Sequence, residues 1–194
     1  KQLALYWNNK MLKTSEQIWL LQYARHNIAC ILGKEDALEI NAPEGCQNTA
    51  GCFVTIYKKE EHELRGCIGT FDFNRPLYAN IADMAKAAAT RDPRFSPLRE
   101  SEFDEIELEI SVLEAPTPCA TQDIVVGKHG LLIEQGSRRG VLLPQVASDY
   151  GWNREQFLDH TCLKAGLPRN AWQNPNTQIH CFEAHILAEK ELLP

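Results

Sequence analysis

From Phe103 to Leu113 the chain alternates without a break, Ile106, Leu108, Ile110 and Val112 against Glu105, Glu107, Glu109 and Ser111. A period of two with one apolar and one acidic side fits a half-buried strand and no helix. Sheets that are wet on one face are antiparallel, because parallel sheets are covered on both. Two more runs of strand composition, Cys52 to Lys58 and Leu64 to Phe71, flank the charged turn Lys59-Glu60-Glu61-His62-Glu63 and read as a hairpin. The sheet is therefore expected to be built from hairpins.

Helical patterns sit between these runs. Thr14-Ser15-Glu16-Gln17 is a capping-box pattern, followed by Ile18, Leu21, Ala24, Ile28 and Leu32 at helical spacing, with Gly33 as the stop. Pro76 opens a second helix with the stripe Leu77, Ile81, Met84, Ala85 and Ala88, ending near Thr90 because Pro93 disfavours helical geometry at Asp92. The Pro-rich stretch Ala115 to Ala120 reads as a connection. His129 to Gln135 and Arg139 to Leu143 flank the turn Gly136-Ser137-Arg138 as a second hairpin. Pro144 starts a short helix ending at Gly151, and Asn153 with Gln156 caps another that stops at Gly166-Leu167-Pro168. A last strand is expected from Gln178 to Ala188. Hairpins and helices without a βαβα rhythm predict an α+β fold with a largely antiparallel sheet flanked by helices. There is no internal repeat or flexible linker, so any two lobes are expected to be intimately packed.

The net charge of -6 argues against nucleic-acid binding, which needs a basic surface to displace counterions, and against an anionic membrane surface. No apolar run approaches the roughly 20 residues that span a bilayer. Lys1 to Lys13 mixes Trp, Asn and Lys and has no signal-peptide pattern. The 7 cysteines are odd in number and lack any C-x-x-C, which predicts free thiols in a reducing, cytoplasmic compartment.

One segment concentrates chemistry. Leu64-Arg65-Gly66-Cys67-Ile68-Gly69-Thr70-Phe71 sets a thiol two residues from a guanidinium, and strand alternation puts Arg65, Cys67 and Phe71 on one face, with Leu64, Ile68 and Thr70 on the other. A fixed cation favours the thiolate. His129, between the glycines of Gly127-Lys128-His129-Gly130, is the best general base, and Glu109 can orient it. Asp92-Pro93-Arg94-Phe95 is a rigid loop that presents Asp92 and Arg94. Arg65, Arg94 and Arg139 together would bind an anion, with Gln145 and Lys164 as further contacts. Each has an ordinary structural reading as well: a sheet cysteine, a turn histidine, a solvated strand face, a cap. No metal motif accompanies these residues, and no cofactor or metal is expected.

Taken in order, the segments LRGCIGTF at Leu64 to Phe71, DPRF at Asp92 to Phe95, EISVL at Glu109 to Leu113, GKHGL at Gly127 to Leu131 and RRGVLLPQVA at Arg138 to Ala147 resemble the AMMECR domain family, whose prokaryotic branch is called AmmeMemoRadiSam system protein A. Trp152 to Pro168 continues the likeness. The resemblance implies an AMMECR domain over residues 14–190, with a smaller lobe packed against the main sheet, an extension at 1–13 and a tail at 191–194. By position it implies a pocket of Arg65, Cys67, Asp92, Arg94, Glu109, His129, Arg139 and Gln145. It implies a Memo-type protein and a radical S-adenosylmethionine protein as partners, and supplies no reaction. Two functions follow as expectations: a small-molecule or peptide site with Cys67-dependent catalysis, or a non-catalytic adaptor presenting a substrate to those partners.

Overall fold

The computed structural model describes residues 12–36 and 39–193, so most of the extension expected at 1–13 lies outside the described residues. In chain order the regular elements are α1 (Thr14–Ile31), β1 (Gly51–Lys58), β2 (Leu64–Thr70), α2 (Leu77–Thr90), β3 (Ile106–Leu113), β4 (Thr117–Pro118), β5 (Gly130–Gln135), β6 (Arg138–Leu142), α3 (Pro144–Asp149), α4 (Arg154–Lys164), β7 (Gln178–Phe182), β8 (Ala184–Ala188) and α5 (Glu189–Leu192). The chain forms two compact units, one running to Val112 and resuming at His185, the other Leu113–Ala184. The fold is α+β, with two antiparallel sheets flanked by helices.

The first unit holds a four-stranded sheet of order β2-β1-β3-β8. Cys52, Val54 and Ile56 of β1 and Ile106, Leu108, Ile110 and Val112 of β3 are buried in one core with Leu20, Leu21, Ala24 and Ile28 of α1 and Ile81, Ala85 and Ala88 of α2. The alternation read from the sequence thus selects the face that meets the helices. Each fully buried Leu or Ile contributes about 1.5–3 kcal/mol relative to exposure. Glu16 secures the start of α1, accepting the Lys13 N–H at 2.8 Å and the Gly45 N–H at 2.9 Å. The cap is therefore one residue earlier than the Thr14 pattern predicts. At the other end of the unit, the buried Glu189 accepts from the Leu108 N–H at 2.7 Å and from both Nε and Nη2 of Arg25.

The second unit holds a sheet of order β4-β7-β5-β6. Its core joins Leu131 and Ile133 of β5 to Phe157, Leu158 and Cys162 of α4. Helix α4 lies against β6 at Gly140, where a Cβ would stand 2.3 Å from the Ala165 nitrogen. Asn153 caps α4 as expected, its side chain accepting the Gln156 N–H at 2.9 Å.

Three expectations are corrected. The last strand breaks at Glu183: β7 pairs with β5 in the second unit, and β8 joins β3 in the first. The Pro-rich connection contributes the short edge strand β4, with Thr117 opposite Cys181. Finally, Cys119 and Cys181 form a disulfide, their Cα atoms 5.6 Å apart. Sequence spacing conceals this pair because edge pairing of β4, rather than proximity along the chain, brings the two residues within bridging range. The cysteine argument for a reducing compartment falls with it. Among the described residues no helix is long and apolar enough to cross a membrane.

Candidate functional site

β2 carries the LRGCIG segment, and its two glycines have separate steric causes. A Cβ at Gly66 would lie 2.3 Å from the Ala88 carbonyl oxygen, so the residue lets α2 settle onto the sheet. On Gly69 lies the Phe53 ring, 2.3 Å from where a Cβ would be. Between them, Cys67 pairs with Thr55 across the β1–β2 ladder.

The ladder shifts by one residue just before this point, Ile56 facing Gly66 and Tyr57 facing Leu64. Arg65 is the extra residue of that bulge. The shift corrects the face assignment, because Leu64 now sits opposite Tyr57 on the side that Thr55 and Cys67 share. Arg65 is buried with its guanidinium fully engaged. Nε and Nη2 donate to the two carboxylate oxygens of Glu102 at 2.8 and 3.1 Å, and Nη1 donates to the Ser96 carbonyl at 2.9 Å. This bidentate pair holds the Glu102 carboxyl below its ordinary pKa. Arg65 anchors the segment before β3 and does not activate the thiol.

Asp92 and Arg94 do reach Cys67. Asp92 is 2% exposed at its side chain and Arg94 54%. The Asp92 carboxylate accepts the Cys67 N–H at 2.9 Å, the Arg94 N–H at 3.1 Å, Arg94 Nε at 3.0 Å and Arg94 Nη2 at 2.7 Å. The Arg94 hydrogen bonds, with those from the backbone, hold the Asp92 carboxyl far below the usual range despite burial. Asp92 thus ties the loop after α2 to the backbone of the cysteine itself.

The Cys67 thiol receives the Thr55 hydroxyl at 3.2 Å. Burial pushes its pKa above the ordinary thiol value; the Thr55 bond and the Arg94 charge pull it down, while Asp92 and Glu109 push it up again. Desolvation is the largest of these effects, so the thiol is protonated at neutral pH. Burial likewise raises the Glu109 carboxyl, opposed by the charges of Lys190 and His62. The histidine near Glu109 is thus His62, which stands at φ 48 in the β1–β2 turn, stacks on Tyr57 with centroids 4.3 Å apart and contacts Glu107. The sequence shows His62 only as part of a charged turn; the turn's reach back over the sheet depends on its left-handed backbone.

His129, Arg139 and Gln145 belong to the second unit, whereas Arg65, Cys67, Asp92, Arg94 and Glu109 belong to the first. His129 Nδ1 accepts the Val125 N–H at 3.2 Å, closing its own turn. Arg139 faces Glu134 across β5 and β6 at 3.3 Å. Gln145 follows Pro144 in the first turn of α3, and Lys164 lies in the last turn of α4, where a cation suits the helix dipole. Arg65, Arg94 and Arg139 each face a carboxylate of this chain. Residues that sequence reasoning passed over are Thr55, found by continuing the hairpin register to Cys67, and Glu102, which has no sequence signal. A hollow of about 330 Å³ opens beside Glu102, bordered by Lys58, Glu60, Glu61 and Glu105. Among the described residues no group of His, Cys, Asp and Glu side chains is placed to hold a metal ion.

Residues 21–187 match the AMMECR1 family model. The chain is 39% identical over 189 residues to protein MK0488 of Methanopyrus kandleri, covering 93% of this chain and 91% of that one. It is 40% identical over 190 residues to protein MJ0810 of Methanocaldococcus jannaschii, covering 94% of each. The crystal structure of the uncharacterised protein PH0010 from Pyrococcus horikoshii is similar at a TM-score of 0.79 and 35% identity, over 90% of this chain and 92% of that one. With the LRGCIG strand, the DPRF loop and the α+β fold all in place, the chain belongs to the AMMECR1 family.

Proposed function

We propose that this protein is a binding module that presents a small-molecule or peptide ligand to a Memo-type and a radical S-adenosylmethionine partner, and that Cys67 shapes its surface without acting as a nucleophile. One observation carries this reading. The Cys67 thiol is desolvated, receives a hydroxyl from Thr55, and stands beside an Asp92–Arg94 pair that neutralises itself. A working nucleophile needs a base in hydrogen-bond reach or a depressed pKa, and the charges acting on Cys67 supply neither. Arg94 is the exposed part of the network, and its side chain lies over the Phe95 ring at 5.4 Å. A guanidinium on an aromatic face, with its inner edge fixed by a carboxylate, suits recognition of a carboxylate or carbonyl on a ligand.

The competing reading keeps Cys67 as nucleophile, His129 as base and Glu109 as orienter, with Arg139 and Gln145 at the same ligand. Capture of the Memo-type and radical partners by the Cys67→Ala, His129→Ala double variant separates the two. Undiminished capture with intact pathway output is expected. Capture that survives while output is abolished establishes the catalytic reading, and loss of capture rejects the adaptor.

A further inference from the structure

We propose that Cys30, outside the family signature, is a modification site: a thiol with its own built-in base, reactive toward small neutral electrophiles, including hydroperoxides. Cys30 lies in the last turn of α1, and its Sγ is 3.3 Å from Nε2 of His26, one helical turn back. The other imidazole nitrogen, Nδ1, contacts the carboxylate of Glu35. An ionised carboxylate only accepts, so Nδ1 carries the ring proton and Nε2 presents its lone pair to the thiol. The S–H donates to that nitrogen, with the Asp36 carbonyl at 3.5 Å as a second acceptor. Nucleophile, base and orienting carboxylate thus stand in hydrogen-bonded sequence, the arrangement that activates cysteine in many unrelated folds.

The other free cysteines lack this arrangement. Cys46, Cys52 and Cys162 are buried, and burial raises the thiols of Cys46 and Cys52 to about 12. Cys67 is half-buried and takes a hydroxyl from Thr55. Cys30 is partly exposed, as Cys67 is, and His26 is 14% exposed, enough shelter to hold the ring in place. Burial first, then the charges of Glu35 and Asp36, push the Cys30 thiol above its ordinary value and disfavour a free thiolate here, opposed by Lys86. His26 therefore acts during the reaction and does not hold a preformed ion pair. As sulfur attacks, its proton passes to Nε2, and Glu35 stabilises the imidazolium. The same two carboxylates repel anions, so the reagent taken is neutral. With a hydroperoxide, sulfur bonds to the terminal oxygen, the O–O bond breaks, and the alkoxide leaves as an alcohol with the proton from His26. Cys30 becomes a sulfenic acid, a two-electron oxidation balanced by reduction of the peroxide.

The test is residue-resolved mass spectrometry of the native protein near neutral pH, with iodoacetamide, iodoacetate and hydrogen peroxide as probes and dimedone as the sulfenic-acid trap. Cys30 should alkylate with iodoacetamide at least about tenfold faster than Cys67, prefer iodoacetamide to iodoacetate, and carry the dimedone adduct. His26→Gln should slow Cys30 by about tenfold and leave the Cys67 rate unchanged, which also reports that the fold is intact. Equal rates at Cys30 and Cys67, or a Cys30 rate indifferent to His26→Gln in a variant with the wild-type Cys67 rate, would overturn the proposal. Should His26→Gln disturb the fold, Glu35→Gln, on the exposed side of the ring, provides the same comparison: slowing at Cys30 supports the proposal and no change refutes it. None of these outcomes bears on partner capture at the Cys67 surface.

Discussion

Cys67 and Cys30 are both partly accessible thiols of the first unit, and their surroundings are opposite in kind. Cys67 lies in the most conspicuous motif of the chain, yet the groups gathered there are bound to one another: Asp92 to Arg94 and to the Cys67 backbone, Arg65 to Glu102, Thr55 to the sulfur. Cys30 lies in an unremarkable helix with an imidazole at its sulfur and a carboxylate behind the imidazole. A motif marks where many constraints meet. At β2 those constraints are architectural: a helix backing onto Gly66, a ring covering Gly69, a loop pinned by Asp92.

If that contrast holds, breaking the Cys67 network costs stability and altering the Cys30 group does not. The largest effect is expected from Asp92→Ala, which leaves the Cys67 N–H without its acceptor and unties the loop after α2, and should cost about 3 kcal/mol in urea unfolding. Glu35→Gln, at a carboxylate 52% exposed, should stay within about 0.5 kcal/mol of wild type. Equal costs for the two would erase the distinction. Gly66→Ala comes next, at about 2 kcal/mol by overpacking against the Ala88 carbonyl, measured in the same way.

Smaller effects come from pH. The folded-state pKa of Asp92 is depressed, so its stabilisation is complete above the unfolded carboxyl value of about 3.9 and is lost as pH falls through the lower folded value. Asp92→Asn should flatten this acid limb in a pH series of unfolding midpoints. Glu109 has the opposite sign. Its folded pKa is raised by burial, so stability declines as pH climbs from about 4.3 through the folded value. Glu109→Gln should therefore be slightly more stable than wild type at neutral pH and no more stable at pH 3; a neutral-pH loss would mean that the carboxylate has a partner it needs.

Much of the fold is legible in the sequence because local rules and the final structure agree. The alternation at 106–113, the Gly33 and Gly166 stops and the Asn153 cap each depend on neighbours a few residues away. The illegible parts depend on distant ones. Arg65 changes role because a bulge adds one residue to β2, and nothing in LRGCIG distinguishes a bulged strand from a regular one. Cys119 finds Cys181 across 62 residues through an edge strand of only two. The candidate site is legible in part: Cys67, Asp92 and Arg94 do gather, but their mutual neutralisation is set by distances that spacing does not encode. The His26–Cys30 pair had a usable signal, a separation of four on a predicted helix, whereas Glu35 enters only through the turn that follows Gly33.

The pH dependence of Cys67 alkylation, followed by mass spectrometry on the folded protein, tests the central claim most directly. The account predicts a single titration with its midpoint above the free thiol value of about 8.5, because burial outweighs the Arg94 charge and the Thr55 bond. A midpoint at or below pH 7 would mean a stabilised thiolate at the signature cysteine, and would contradict the reading of this strand as a binding surface.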